Sequence, residues 1–450
     1  MTPRVAVVGS GPSGIYAADA LIDQGVEVDV FDRLPTPFGL VRYGVAPDHV
    51  SIRSVRDTLD KVWDRTGVRF LGNVQVGRDI SIEELRRSYN AVILTYGAAA
   101  DRRLGIEGED LPGSVAATDF VAWYTGHPDY RGPDFTSLLR STHRVAVIGV
   151  GNVAVDVVRV LSKSAAELSE TDMPDYVLET LRDAPIEQVT LLGRRGPVQA
   201  SFTTKELKEL GELAEADVHI QDDDLDLDPW SQTQVANSKV AQRNLAVLTE
   251  WRDREPRLDV QRTIDLRFFV RPESLGGATH VESITVERTN LDDEGRLSGR
   301  GEFERLDVDL VVRSVGYRGE AMPGVPFDPT ANVVPNVDGR VTDSGGDVVP
   351  GLYVAGWIKR GPTGIIGTNK KCAVGTVACL LEDLPSLPAP EGASDVALLL
   401  RDRGVEVVTI EGWRAIDASE RDRGHERGRP RQTIASRDEL MEIAGSTPST

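Results

Sequence analysis

Short, uninterrupted apolar runs alternate with segments of helical spacing along most of the chain. Residues 5–8, 26–31, 91–94, 144–148, 188–192, 310–314 and 352–354 read as strands. Their continuous β-branched character, without polar alternate positions, suits strands covered on both faces. Residues 14–24 and 153–161 repeat apolar positions at helical spacing, each directly after a glycine-rich turn. Strand–helix alternation of this kind predicts α/β architecture with parallel sheets. The strand–glycine turn–helix signature occurs twice, near residue 9 and near residue 149, and no solenoid-type repeat accompanies it. Residues 209–228 are acidic throughout, centred on Asp222-Asp223-Asp224, and read as a solvated loop or helix face.

The first turn is Gly9-Ser10-Gly11-Pro12-Ser13-Gly14. The first glycine permits the turn, the second lets backbone approach a pyrophosphate, and the third lets helix and strand pack closely. The helix N-terminus adds free N–H groups and a positive dipole end. A second strand follows and ends at Asp32, 21 residues beyond Gly11, where an acid can accept from a ribose hydroxyl. An N-terminal dinucleotide site is expected.

The second turn is Gly149-Val150-Gly151-Asn152-Val153-Ala154, with alanine at the helix-packing position. Its following strand ends not in an acid but in Gly193-Arg194-Arg195-Gly196-Pro197. An acid there would repel a 2′-phosphate, whereas arginines bind one through charge-assisted hydrogen bonds. NADP(H) is therefore expected over NAD(H). The long spacing to this position is taken up by a polar, helix-like insert at residues 162–187. Two dinucleotide signatures, only one of nicotinamide type, point to a flavoenzyme with FAD in the N-terminal site and NADPH delivering a hydride.

Composition narrows the chemistry. With 450 residues, 40% hydrophobic and 27% charged, the chain is long enough for two or three ordinary globular domains. No apolar stretch approaches a membrane span, and the N-terminus passes straight into a strand, so a cytoplasmic location is expected. Cys372 and Cys379 are the only cysteines. Two thiols cannot hold an iron–sulfur cluster, and their spacing on a helix is too long for a disulfide. A thiol-relay enzyme is thereby excluded, no metal site is expected, and both read as packed thiols. The net charge of −20 argues against nucleic-acid or anionic-membrane binding.

The turn Gly9–Gly14, the segments 35–42 (Pro-Thr-Pro-Phe-Gly-Leu-Val-Arg) and 44–49 (Gly-Val-Ala-Pro-Asp-His), the second turn, Gly193–Pro197 and residues 356–369 together resemble adrenodoxin-reductase-type ferredoxin–NADP reductases. The last segment, Gly-Trp-Ile-Lys-Arg-Gly-Pro-Thr-Gly-Ile-Ile-Gly-Thr-Asn, is very distinctive. The resemblance implies two Rossmann-like domains in a glutathione-reductase-like architecture. For FAD it implies Gly9, Gly11, Ser13, Gly14, Asp32, Leu40, Val76, Trp357, Gly364, Ile365 and Ile366. For NADP it implies Val150, Gly151, Asn152, Val153, Arg194, Arg195, Glu206 and Gly364. His49 and Asp156 match polar residues near the nicotinamide and flavin, where a catalytic, proton-handling role is implied. Asp32 is shorter than the family's usual glutamate, and Ile365 replaces a commoner valine.

The FAD domain is expected to be discontinuous, 1–104 and 318–450, with an NADP domain at 105–317. The expected activity is electron transfer between NADPH and an iron–sulfur ferredoxin, by an oxidoreductase with no cluster of its own. Alternatives are an NADPH dehydrogenase of quinones or small acceptors, the electron-input subunit of a larger reductase, and a non-enzymatic flavin-binding protein. An acidic ferredoxin needs a local basic face despite the overall charge. Residues 239–271 hold eight bases against five acids, and Arg243, Arg252 and Arg254 are the expected docking residues. The cluster Lys359, Arg360, Lys370 and Lys371 supplies positive potential beside the expected flavin ring.

Overall fold

The computed structural model describes residues 2–257, 259–391 and 395–445. The chain divides into two compact units. The first takes Met1–Ala100, Thr125–Asp129 and Gly316–Thr450, and the second Asp101–Tyr124 and Tyr130–Val315.

The first unit is built on a seven-stranded sheet. Val68–Leu71, Glu27–Phe31, Arg4–Val8, Ala91–Leu94 and Val348–Val354 lie side by side in parallel. Arg340–Thr342 and Asn336–Val337 extend the sheet antiparallel. The continuous apolar strands are covered on both faces, as their sequence implies. Val5, Val7, Val28, Val30 and Ile93 enter one core with Ile15, Leu21, Trp413 and Ile416. Ala6, Val8, Phe31, Val92 and Leu94 enter the opposite core with Ile80, Leu85 and Ile358. Full burial of each such side chain is worth roughly 1.5–3 kcal/mol.

Two helices carry the site residues of this unit. Pro12–Ile22 has proline at its first position, where the missing N–H costs nothing, and buries Ile15, Ala17, Ala18 and Leu21. Ile366–Asp383 buries Ala373, Thr376, Val377 and Leu380. The helix Ile410–Glu426 is capped by Thr409 and sets Trp413 edge-on to Phe38, with ring centroids 5.6 Å apart. Residues Thr125–Asp129 return to this unit because Thr125 Oγ1 donates to Tyr43 O (3.2 Å) and the His127 ring lies 4.9 Å from that of Tyr43.

The second unit holds a six-stranded parallel sheet in the order Ser114–Ala116, Leu310–Arg313, Arg144–Ile148, Gln188–Leu192, Arg262–Arg267, Ala216–Ile220. The antiparallel ribbon Val270–Gly276, Ser283–Leu291 and Leu297–Asp307 packs Val270, Ile284 and Val286 onto Ala146, Ile148, Leu192 and Val311. Both units are therefore Rossmann-like, each with parallel strands feeding a glycine turn and a helix.

The acidic stretch 209–228 departs from its sequence reading. It contains the strand Ala216–Ile220, and Asp217 and Asp224 are buried, at 1% and 0% exposure. Each is neutralised by arginines distant in sequence: Asp217 by Arg254, and Asp224 by Arg267 (3.2 Å) and Arg288 (2.8 Å). Cys372 and Cys379 are free thiols on one helix, and Cys372 Sγ accepts from Gly356 N at 3.3 Å. Among the described residues no helix is long and apolar enough to cross a membrane.

Candidate functional site

In the first unit the sheet register brings the site segments together. Beyond the last paired residues the ladder continues as Asp32 N to Leu71 O (3.1 Å), Gly9 N to Phe31 O (2.7 Å), Thr95 N to Val8 O (2.8 Å) and Ala355 N to Leu94 O (2.9 Å). One row at the carboxyl edge of the sheet thus holds Asp32, Gly9, Thr95 and Ala355. Open α/β sheets bind ligands at this edge.

Gly9 has φ +110° and Gly14 packs so tightly that a Cβ there would overlap Gly9 O and sit 2.8 Å from Thr95 Oγ1. A Cβ at Gly11, by contrast, would meet nothing within 4 Å. The turn is closed where helix and strand pack, and open where a pyrophosphate would lie. Asp32 accepts from Ser10 N (2.8 Å) and Ser10 Oγ (2.5 Å) at Oδ2, and from Leu34 N (2.9 Å) at Oδ1. Burial pushes its carboxyl above the usual range, opposed by those donors. Counting two lone pairs per oxygen, Oδ1 keeps one for a ribose hydroxyl.

Ser13 Oγ donates to Asn369 Oδ1 at 3.3 Å, tying the first helix to the start of Ile366–Asp383. Val76 is buried, Leu40 is 39% exposed, and Ile365 is 70% exposed immediately before that helix. An exposed apolar side chain beside unsatisfied helix N–H groups suits a planar ring with a polar edge. Gly364, with φ +83°, makes the turn there. Trp357 stacks at a tilt on Tyr317, centroids 5.6 Å apart, and its buried Nε1 has no acceptor among the described residues. His49 is buried and precedes the helix Val50–Arg53.

The second unit repeats the arrangement. Gly149 N donates to Leu192 O (2.9 Å), Gly193 N to Arg267 O (2.8 Å) and Ser314 N to Ile148 O (2.8 Å). Gly149 has φ +125° and its Cβ would overlap Ser314 O, whereas a Cβ at Gly151 would meet only Ser201 Oγ at 3.4 Å. The chain beyond Pro197 folds back onto this turn: Ser201 N donates to Val150 O (2.9 Å) and Thr203 N to Asn152 Oδ1 (3.0 Å). Val153 is half-buried and Ala154 fully buried in the first helical turn.

Arg194 and Arg195 are pinned by their backbones, Thr289 Oγ1 donating to Arg194 O (2.8 Å) and Phe269 N to Arg195 O (3.1 Å). Their side chains are exposed and have no partner among the described residues. In a chain with 71 acids and 51 bases, two adjacent guanidiniums left for solvent fit an anionic ligand.

Asp156 and Glu206 are brought together by a residue the sequence reading missed. The almost fully buried Arg159 meets Asp156 Oδ1 (2.8 Å), Glu206 Oε2 (3.6 Å) and Glu209 Oε2 (3.5 Å). Its legible signal is an acid–base pair three apart on one helix. Thr95 was also missed; its Oγ1 donates to Val8 O and Gly9 O, both at 2.9 Å, and fixes the first turn.

The expected docking residues divide. Arg252 pairs with Asp253 (2.8 Å) and Asp222 (3.8 Å), and Arg254 with buried Asp217. Arg243, exposed on the helix Lys239–Asp253, has no acidic partner among the described residues.

Comparison with known proteins bears on the family and the fold. The model of the family described as pyridine nucleotide-disulphide oxidoreductase matches residues 3–221. The NADPH-ferredoxin reductase FprA of Mycobacterium tuberculosis is 45% identical over 98% of both chains. The mitochondrial NADPH:adrenodoxin oxidoreductase of Arabidopsis thaliana is 39% identical over 98% of this chain and 95% of its own. The solved structure of M. tuberculosis FprA in complex with NADPH superposes with a TM-score of 0.92, at 44% identity, over 99% of this chain and 100% of that one.

Proposed function

The chain belongs to the family of the NADPH-ferredoxin and NADPH:adrenodoxin reductases, and from that premise we propose that it is an FAD-dependent ferredoxin–NADP(+) reductase. The carrying observation is the asymmetry of its two glycine turns. Both leave room at the second glycine, but only the second is accompanied by an arginine couple, Arg194 and Arg195, without a partner among the described residues.

In the first unit Gly9–Gly14 and the helix N-terminus bind a diphosphate, and Asp32 Oδ1 accepts from a ribose hydroxyl. Leu40, Val76, Trp357 and Gly364-Ile365-Ile366 line the ring. FAD supplies the chemistry there, accepting a hydride and releasing electrons singly. In the second unit Val150–Val153 and the helix after them bind the NADP diphosphate. Arg194 and Arg195 take the 2′-phosphate and exclude the coenzyme that lacks it. Glu206 is positioned by Arg159, which also orients Asp156. Of the two proton-handling residues, Asp156 accepts from Arg159 and His49 carries the proton at a ring nitrogen. Lys239 and Arg243, one helical turn apart, form the basic docking face, while Arg252 and Arg254 support it through their acids.

The test is steady-state reduction of a panel of purified ferredoxins with NADPH and with NADH. The expected result is a yellow protein that prefers NADPH by at least about a hundredfold, two charge-assisted contacts at ~1.5–3 kcal/mol each, and prefers an iron–sulfur acceptor to quinones. A colourless protein that cannot be reconstituted with FAD would overturn the reading.

A further inference from the structure

Each glycine turn is closed by a segment that returns to it from later in the chain, and the two closures match at the backbone. In the first unit Phe38 N donates to Ser10 O at 3.0 Å; in the second Ser201 N donates to Val150 O at 2.9 Å. Ser10 and Val150 hold the same place, between the first and second glycines of their turns. What the returning segments carry differs. Phe38 is fully buried, and Gly39 after it offers no side chain; a Cβ there would come within 3.2 Å of Gly11 Cα. Ser201 is exposed, and among the described residues its Oγ is what a Cβ on Gly151 would meet, at 3.4 Å.

The hydroxyl is held at that place by its neighbours. Phe202 is 1% exposed, and Thr203 Oγ1 accepts from Glu206 N (3.2 Å) to cap the helix Thr204–Gly211. Ser201 is thus fixed by a backbone hydrogen bond, a core anchor and a helix cap. Among the described residues its Oγ meets only Val150 O, at 3.3 Å, an acceptor that Ser201 N already uses. That is long for an O–H···O bond, usually about 2.7–2.8 Å, and a phosphate oxygen is a better acceptor because the bond to it is charge-assisted. The same segment sorts the Asn152 amide. Thr203 N donates to its Oδ1 at 3.0 Å, so the donor end, Nδ2, is left without an acceptor among the described residues. A reachable hydroxyl and a spare amide donor at the turn around the open second glycine suit an anion.

We propose that Ser201 Oγ–H donates to a diphosphate oxygen of the coenzyme bound in this unit, the returning segment forming a second wall of the diphosphate site opposite the helix N-terminus. The inference rests on the NADP(H) reading above. The diphosphate is common to NADPH and NADH, so Ser201 adds affinity without coenzyme preference. Arg194 and Arg195, read as the 2′-phosphate site, do the reverse.

The test compares FAD-loaded wild type with Ser201→Ala and Ser201→Asp. Each is titrated calorimetrically with NADP+ and with adenosine 2′-monophosphate, which carries the 2′-phosphate but no diphosphate. Loss of one hydrogen bond to a charged group predicts a Kd for NADP+ raised about tenfold in Ser201→Ala. The Kd for the monophosphate stays within about twofold of wild type. With ferricyanide as acceptor, kcat/KM falls by the same factor for NADPH and NADH. Ser201→Asp replaces the donor by a carboxylate facing the diphosphate, and its loss of NADP+ affinity exceeds that of alanine. Wild-type NADP+ affinity in either variant would overturn the proposal, as would a loss confined to NADPH or an equal loss with the monophosphate. A wild-type protein that binds neither ligand would instead overturn the functional reading.

Discussion

Arg194 and Arg195 make the strongest statement any two side chains make here, because their surroundings do not explain them. Most arginines on this protein meet a carboxylate; these two are exposed, adjacent and without a partner among the described residues. On the proposed reading, replacing Arg194 with alanine removes a charge-assisted contact to the 2′-phosphate that NADH never makes. NADPH kcat/KM is expected to fall about 10- to 100-fold while NADH kcat/KM stays within twofold, and equal loss with both coenzymes would refute the assignment. His127 supports a prediction of another kind. Its Nδ1 accepts from Asp129 N at 3.1 Å, and burial, with Arg33 nearby, lowers its pKa to about 4. The unfolded chain therefore binds a proton between pH 6.5 and 4 that the folded chain refuses, so stability is full above this window and is lost as pH falls through it. At pH 5 the linkage is worth about 2 kcal/mol. His127→Gln should flatten the acid limb of a Tm-against-pH curve, and an unchanged limb would contradict the neutral, buried ring.

At the scale of elements, the helix Ile410–Glu426 is joined to the helix Leu40–Tyr43 by charge as well as packing. Glu420, fully buried, accepts from Arg42 at 3.0 and 2.5 Å, from Arg431 at 2.6 Å and from Ile434 N at 2.8 Å. Those positive partners hold its carboxyl below the usual range despite burial. Glu420→Gln keeps the shape but leaves two buried guanidiniums short of a counter-ion. The expected loss is about 3–5 kcal/mol in denaturant unfolding, with weaker flavin retention because Arg42 lies two residues from Leu40; a loss below about 1 kcal/mol would show that the cluster relaxes easily. This helix also marks where legibility ended. The seven apolar runs read as strands all lie within or over strands, and both glycine-turn helices begin within two residues of their expected starts, because continuous burial and glycine conformations leave a local trace. Helix Ile410–Glu426 buries Trp413 and Ile416 but also Asp417 and Glu420 on its inner face, so its apolar stripe is broken by charges whose partners are remote. Strand Ala216–Ile220 was hidden likewise, inside an acidic run whose buried carboxylates are balanced from elsewhere in the chain. The glycine turns, Asp32 and the arginine pair were legible because each is a local motif. Arg159 was not assigned, since what distinguishes it is a set of carboxylates gathered in space, two of them from another helix.

At the scale of the whole molecule, a net charge of −20 must be reconciled with an acidic electron carrier. The two effects act over different distances. Repulsion between net charges is long-ranged and is screened first, with a Debye length of about 10 Å at 0.1 M salt, whereas a contact pair is screened only at higher ionic strength. The rate with ferredoxin is therefore expected to rise as salt is added from low concentration, pass through a maximum, and fall as local attraction fails. Arg243 is the guanidinium of the expected docking set that no acid among the described residues consumes. Arg243→Glu should raise the KM for ferredoxin about tenfold at low salt, a charge reversal at an exposed contact being worth about 1–2 kcal/mol. It should also abolish the falling limb, leaving a rate that only rises with salt. Ferricyanide, too small to need a docking face, should be reduced by the variant at the wild-type rate. A variant that keeps the falling limb would move the docking face elsewhere, and one that loses ferricyanide reduction in proportion would show damage to the flavin or NADPH steps rather than to docking.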